Sequence, residues 1–163
     1  MLSAMRLSEF VAMRLGEIER RPEGVLVFVA RSKGDQEGKG ETIRVPAGRR
    51  IRPVELLDDW LAAAGIEDGF VFRSLSRCGT RARPEPMADQ AVARIVQARA
   101  TAAGCDRTEY AGHSLRAGFL TSAARRASIS KMRELSRHKS LDVLEGYVRD
   151  ARLFTDNAGE DFA

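Results

Sequence analysis

The sequence predicts a mixed α+β domain, mainly helical, with a small three-stranded antiparallel sheet near its start. Three observations carry that prediction. Residues 17–46 contain three short strand-like segments separated by turn formers. From Arg49 onward the apolar residues recur mostly at helical spacing. The 163 residues suffice for one domain with a real core and are too few for two comfortable ones.

The elements follow in order. Residues 3–16 read as a helix with Ser3 at its N-cap. Leu7, Phe10, Val11 and Leu15 fill one arc and Leu2, Met5, Ala12 and Met13 another, the mark of a buried helix. Arg6 and Glu9 lie three apart and can pair. Next come a strand at 17–20, a turn at 21–24, a buried strand at 25–31 and a partner strand at 41–46 that turns Ile43 and Val45 inward. The polar loop 32–40 joins the last two and holds Lys33 and Lys39.

Residues 49–65 read as a helix facing the core with Val54, Leu57 and Leu61 and closed by Gly65. Phe70, Val71 and Phe72 form an apolar anchor, and 73–86, rich in Arg, Ser, Gly and Pro, reads as a basic loop. A helix over 88–103, with Asp89 able to cap it, should bury Ala91, Val92, Ile95 and Val96. That leaves Gln90, Arg94 and Gln97 for water or DNA.

The helix after Gly112 has Leu115, Phe119, Leu120, Ala123 and Ala124 on its apolar arc, with Arg116 near the middle and His113 at its edge. An unpaired buried guanidinium costs several kcal/mol, so Arg116 requires either a carboxylate or an external anion. Ser130 is positioned to cap a helix to Arg137, and Ser140 another running through Tyr147. In that last helix Leu141, Leu144 and Val148 form the packing row, with Tyr147 beside it.

Composition narrows the function classes. Hydrophobic residues make up 44%, which excludes a disordered chain. No run of 18 apolar residues and no basic-then-apolar leader is present, so a soluble cytoplasmic protein without a membrane is expected. Cys78 and Cys105 read as plain thiols, and two histidines give no metal-ligand spacing. Lysine and arginine total 27 against 23 acidic residues, a net charge of +4 that suits a polyanionic partner.

The ordered set of polar residues is more specific. It resembles the catalytic domain of the tyrosine recombinases, the phage integrase family that includes Cre and the Xer proteins. The family's first-arginine motif resembles Met5-Arg6-Leu7-Ser8-Glu9, its hairpin lysine Lys33 in Arg31-Ser32-Lys33, and its central box Gly112-His113-Ser114-Leu115-Arg116. Its second histidine resembles His138 in Arg137-His138-Lys139-Ser140, and its nucleophile Tyr147 in Glu145-Gly146-Tyr147.

The resemblance implies a tyrosine recombinase catalytic-domain fold and DNA strand transfer through a 3′-phosphotyrosyl intermediate, with no cofactor and no metal. The catalytic set would be Arg6, Lys33, His113, Arg116, His138 and Tyr147, with Glu9 in support. Clustered guanidiniums suit this chemistry because negative charge develops on a pentavalent phosphorus. A phenol must lose its proton to attack, which gives His113 a base or relay role, and the leaving 5′ oxygen needs the proton that Lys33 would supply. The partner implied is double-stranded DNA, bound by a homo-oligomer, a tetramer, at the nucleoid. Gln90, Arg94, Arg137 and Lys139 are the candidate DNA contacts, Gln90 as an adenine reader.

Two departures stand out. Arg137 occupies a position where the family often has glycine, which makes it either an added phosphate contact or a distortion of the turn before His138. Gly34 stands where threonine is common. Residues 1–163 would be the catalytic domain, with 151–163 as a C-terminal tail. The helical core-binding domain that usually precedes it is expected to be missing, and a lone half-clamp should bind DNA weakly. The second reading is therefore a truncated remnant that binds DNA without recombining it, and the third a purely structural or adaptor domain.

Overall fold

The computed structural model describes residues 4–30, 40–137, 140 and 142–151. Helix α1 covers Leu7–Ala12, six residues rather than the fourteen expected. Its extension is overridden by tertiary pairing. Past Ala12 the backbone turns extended, Leu15 N–H donates to Gly69 O at 2.8 Å, and Val71 N–H donates to Met13 O at 2.9 Å. The apolar anchor read at 70–72 is the other half of that pairing.

Strands β1 (Ile18–Arg21), β2 (Gly24–Val29) and β3 (Glu41–Pro46) form the expected antiparallel meander in that order. Val25 lies opposite Val45 and Val27 opposite Ile43, so one face of the sheet is apolar. Helix α2 (Pro53–Ala64) packs there with Leu61 buried, and Gly65 closes it in the left-handed conformation. Trp60 Nε1–H donates to Val71 O at 2.8 Å, tying α2 to the anchor.

Residues 73–86 are not a loop. β4 (Arg73–Leu75) pairs antiparallel with β5 (Ala82–Pro86) in a second sheet. Pro84 and Pro86 masked the signal, since proline in a strand is tolerated at an edge but argues against one in sequence.

Helix α3 (Asp89–Ala102) buries Val92, Val96 and Ala100, a row of every fourth residue. Ile95 lies off that row and is 48% exposed, contrary to expectation, and Asp89 makes no capping hydrogen bond. Gln97 is not left for DNA either: its Nε2 donates to Tyr110 O at 3.0 Å.

Helices α4 (Ser114–Ala124), α5 (Ile129–Ser136) and α6 (Asp142–Ala151) close the fold. Ser128, not Ser130, caps α5, its hydroxyl accepting from Lys131 N–H at 3.3 Å. Ser140 Oγ accepts from Asp142 N–H at 3.1 Å ahead of α6. Leu141 falls outside the described residues.

Three apolar clusters result. One joins the sheet, α2 and the anchor and includes Met5; one joins α4, α5 and α6 and includes Ala4; the third joins α1 to α3 through Val11, Val92 and Val96. Adjacent residues Ala4 and Met5 thus sit in different cores, and α1 leads into the third. Among the described residues no helix is long and apolar enough to cross a membrane.

Truncation of Leu120, 1% exposed in the helical core, should lower the unfolding free energy by about 2–5 kcal/mol as Leu120→Ala. Ile95→Ala on the open face of α3 should change it by less than about 0.5 kcal/mol. Urea unfolding followed by circular dichroism measures both.

Candidate active site

The site is built outward from α1. Arg6 is its N-cap, and the Glu9 carboxylate folds back onto it, Oε2 accepting the Arg6 backbone N–H and Oε1 accepting Arg6 Nη1, each at 2.8 Å. The backbone bond is one arm of a capping box; the other bond also aims the guanidinium. The Glu9 side chain is only 3% exposed, and a second cation reaches it from far along the chain. Arg137 Nη2 donates to Glu9 Oε2, and its Nη1 lies 3.5 Å from Glu41 Oε2, at the first residue of β3.

Burial alone would raise the Glu9 carboxyl. The hydrogen bonds from Arg137, the Arg6 backbone and the Arg6 side chain outweigh it and hold the group below its ordinary value of 4.5.

Arg137 itself is constrained. It caps α5 with φ 56°, the left-handed region, and among the described residues it is the sole non-glycine with positive φ. Such a conformation costs on the order of 1–3 kcal/mol for a residue with a Cβ. The side chain is 7% exposed, turned inward onto Glu9 and Glu41, with little of it left for DNA.

Arg116 projects from α4 into the same region. Among the described residues its hydrogen-bond partners are backbone carbonyls and not the carboxylate that sequence offered as one alternative. Its Nη1 donates to Ala4 O and its Nη2 to Ser136 O at 2.5 Å, so backbone carbonyls from both flanking segments hold the guanidinium. Burial first, then repulsion from Arg6 and Arg137, pulls its pKa down, while Glu9 and Tyr147 oppose the shift. A guanidinium remains charged throughout.

Gly112, just ahead of α4, lies against Leu7 of α1. A Cβ there would lie 2.5 Å from Leu7 Cδ2, so the leucine would have to move. The turn is pinned by Ala111 N–H donating to Ser114 Oγ at 2.8 Å. An open groove of about 530 Å³ results, lined by Arg6, Leu7, Ser8, Asp89, Gln90, Ala93, Gly112, His113 and Arg116.

Sequence-picked Arg6, His113 and Arg116 therefore share one groove, with Glu9 buried beneath Arg6. Tyr147 packs against the helical core and lies within electrostatic reach of Arg116. Gln90 lines the groove together with Asp89, which sequence reasoning took only as a cap; Arg94 is exposed on the same helix. Lys33, His138 and Lys139 lie outside the described residues. Among the described residues no His, Cys, Asp and Glu cluster could hold a metal, and both cysteines are free and exposed. Glu41 had no sequence signal. For Arg137 the one clue was a side chain at a position where the family often has glycine.

Known proteins resemble this chain in sequence and in fold. The phage integrase family matches residues 1–152. A relative from Selenomonas ruminantium, described as an integrase/recombinase xerD homolog, is 40% identical over 159 residues, covering 95% of this chain and 46% of that protein. A XerH site-specific recombinase, solved bound to a palindromic difH substrate in a post-cleavage complex, superposes with a TM-score of 0.73 at 15% identity. That match covers 93% of this chain and 40% of XerH. The XerA recombinase superposes with a TM-score of 0.67 at 16% identity, over 96% of this chain and 55% of XerA. The likeness to both structures establishes the fold. The chain spans about half the length of these relatives or less.

The buried carboxylate sets a pH dependence. Because the Glu9 pKa is depressed on folding, the unfolded chain binds more protons in acid. Its contribution to stability is fully present above about pH 4.5 and is lost as pH falls through the lower folded value. Urea unfolding at graded pH should show stability declining below about pH 4.5, with a shallower decline in Glu9→Gln.

Proposed function

The chain belongs to the phage integrase family, and from that premise we propose that residues 1–163 act as the catalytic domain of a tyrosine recombinase. The proposed reaction is site-specific cutting and rejoining of double-stranded DNA. One observation carries the reading: Arg6, tied with Arg137 to the Glu9 carboxylate, and Arg116, held by backbone carbonyls, line one open groove, with Tyr147 within electrostatic reach of Arg116. Positive charge is in excess where Arg6 and Arg116 meet the groove. That is the requirement for binding a phosphodiester whose charge grows on attack.

In this reading the Tyr147 oxygen attacks phosphorus and forms a 3′-phosphotyrosyl bond as the bond to the 5′ oxygen breaks. His113 accepts or relays the phenol proton, Lys33 delivers a proton to the leaving oxygen, and Arg6, Arg116 and His138 donate to the nonbridging oxygens. A second 5′-hydroxyl reverses the step and restores the phosphodiester, so no ATP is needed. Glu9 orients Arg6. Gln90 and Arg94, on the helix beside the groove, are the proposed DNA contacts, and the working assembly is a tetramer on DNA at the nucleoid.

A nicked suicide DNA substrate tests the reading. Wild type should give a covalent protein–DNA adduct on a denaturing gel, and Tyr147→Phe none. Arg116→Ala should slow adduct formation by about 10²–10³-fold, the usual loss for one donor to a developing anion. An adduct that persists without the phenol sinks the nucleophile assignment. Wild type that shifts DNA but forms no adduct identifies a DNA-binding remnant instead.

A further inference from the structure

We propose that Arg137 is a positioning residue: it clamps Glu9 from behind, fixes how Arg6 faces the groove, and ties that geometry to the edge of β3 at Glu41. The proposal rests on the functional reading above for what Arg6 does there. The clamp stands on its own geometry.

Consider first what the backbone asks for. The turn after α5 needs a left-handed residue, which glycine supplies without steric cost. An arginine there contributes nothing to the turn itself, so its contribution must come from the guanidinium. That group is 7% exposed and meets a carboxylate that is 3% exposed, across 128 residues of chain. It is also held differently from Arg116. Arg116 is fixed by two carbonyls, whereas the Nε and Nη1 of Arg137 are buried without a hydrogen bond among the described residues, and two carboxylates hold the side chain. Such a group depends on Glu9 and Glu41 to stay in place.

The second arm matters because β3 and α5 face each other across a cleft of about 260 Å³. Among the described residues the other ion pair spanning it, Arg44 with Glu134 at 3.6 Å, is exposed and therefore weak. Arg137 is the buried side of a further tie between the two halves, its guanidinium reaching the half-exposed Glu41 of the sheet. Without it, Glu9 has Arg6 as its one hydrogen-bonding cation among the described residues. The carboxylate then draws Arg6 back towards itself or takes up a proton, and either change moves Arg6 away from a bound phosphate.

The test combines single-turnover adduct formation across DNA concentrations with urea unfolding. Arg137→Met should cut the rate at saturating DNA by about 100-fold, the scale of a misplacement of about 1 Å, while half-saturating DNA changes by less than about threefold. Arg137→Lys should recover much of that rate. Arg137→Gly, which relieves the backbone and keeps the turn, should fold and show the same loss as Arg137→Met. In unfolding, Glu9→Gln and Arg137→Met should be coupled, the double variant departing from additivity by at least about tenfold in the unfolding constant.

Wild-type rates in Arg137→Met and Arg137→Gly, or an additive cycle, overturn the inference alone. A raised half-saturation with an unchanged saturating rate also overturns it, and makes Arg137 a phosphate contact. Wild type that forms no adduct although the unfolding cycle is coupled overturns the functional reading, and with it the aiming of Arg6.

Discussion

Everything in the site depends on one buried carboxylate. Glu9 joins α1 to the turn after α5, where Arg137 in turn reaches Glu41 at the edge of β3. A carboxylate taken out of water is strongly unfavourable unless cations and N–H groups replace its hydration. Here they do so from two directions, Arg6 from its own helix and Arg137 from the far end of the chain. The arrangement specifies geometry more than it adds stability, because a buried ion pair gains little over well-packed apolar groups.

The same junction organises the cores. Ala4 belongs to the helical cluster, Met5 to the sheet cluster, and α1 packs on α3, so residues 4–12 touch all three. Arg116 adds a tie by donating to the carbonyl of Ala4. The guanidiniums that line the groove are thereby fixed by the segment that joins the cores, Arg6 through Glu9 and Arg116 through the carbonyl of Ala4. Charge that would repel if mobile is pre-set, the condition under which it acts most strongly on a developing anion.

Much of this was legible in sequence, and the failures have physical causes. The meander and the left-handed Gly65 cap follow from alternation and turn residues that act locally. The ordered polar residues included Arg6, His113 and Arg116, which line one groove, and Glu9, buried beneath Arg6. The length of α1 was not legible, because its end is set by pairing with residues 69–71. Nor was the β4–β5 hairpin, hidden by proline and arginine. Carbonyl partners such as Ala4 and Ser136 leave no side-chain signature, so the anchoring of Arg116 lay outside any motif. The inward turn of Arg137 depends on a backbone conformation that residue patterns do not record.

The junction around Ala4–Glu9 also bears on the order in which the chain acquires its structure. The contacts that complete it span 112 residues for Arg116 and 128 for Arg137. Contacts of such separation carry a large loop-closure cost and form late, after local helices and the hairpin have condensed. During synthesis the N-terminal segment therefore leaves the ribosome long before its partners exist. Until the last helices dock, Arg6 and Arg116 belong to separate, unorganised parts of the chain. A nascent or half-folded molecule then carries the same basic charge without the arrangement that holds Arg6 and Arg116 together.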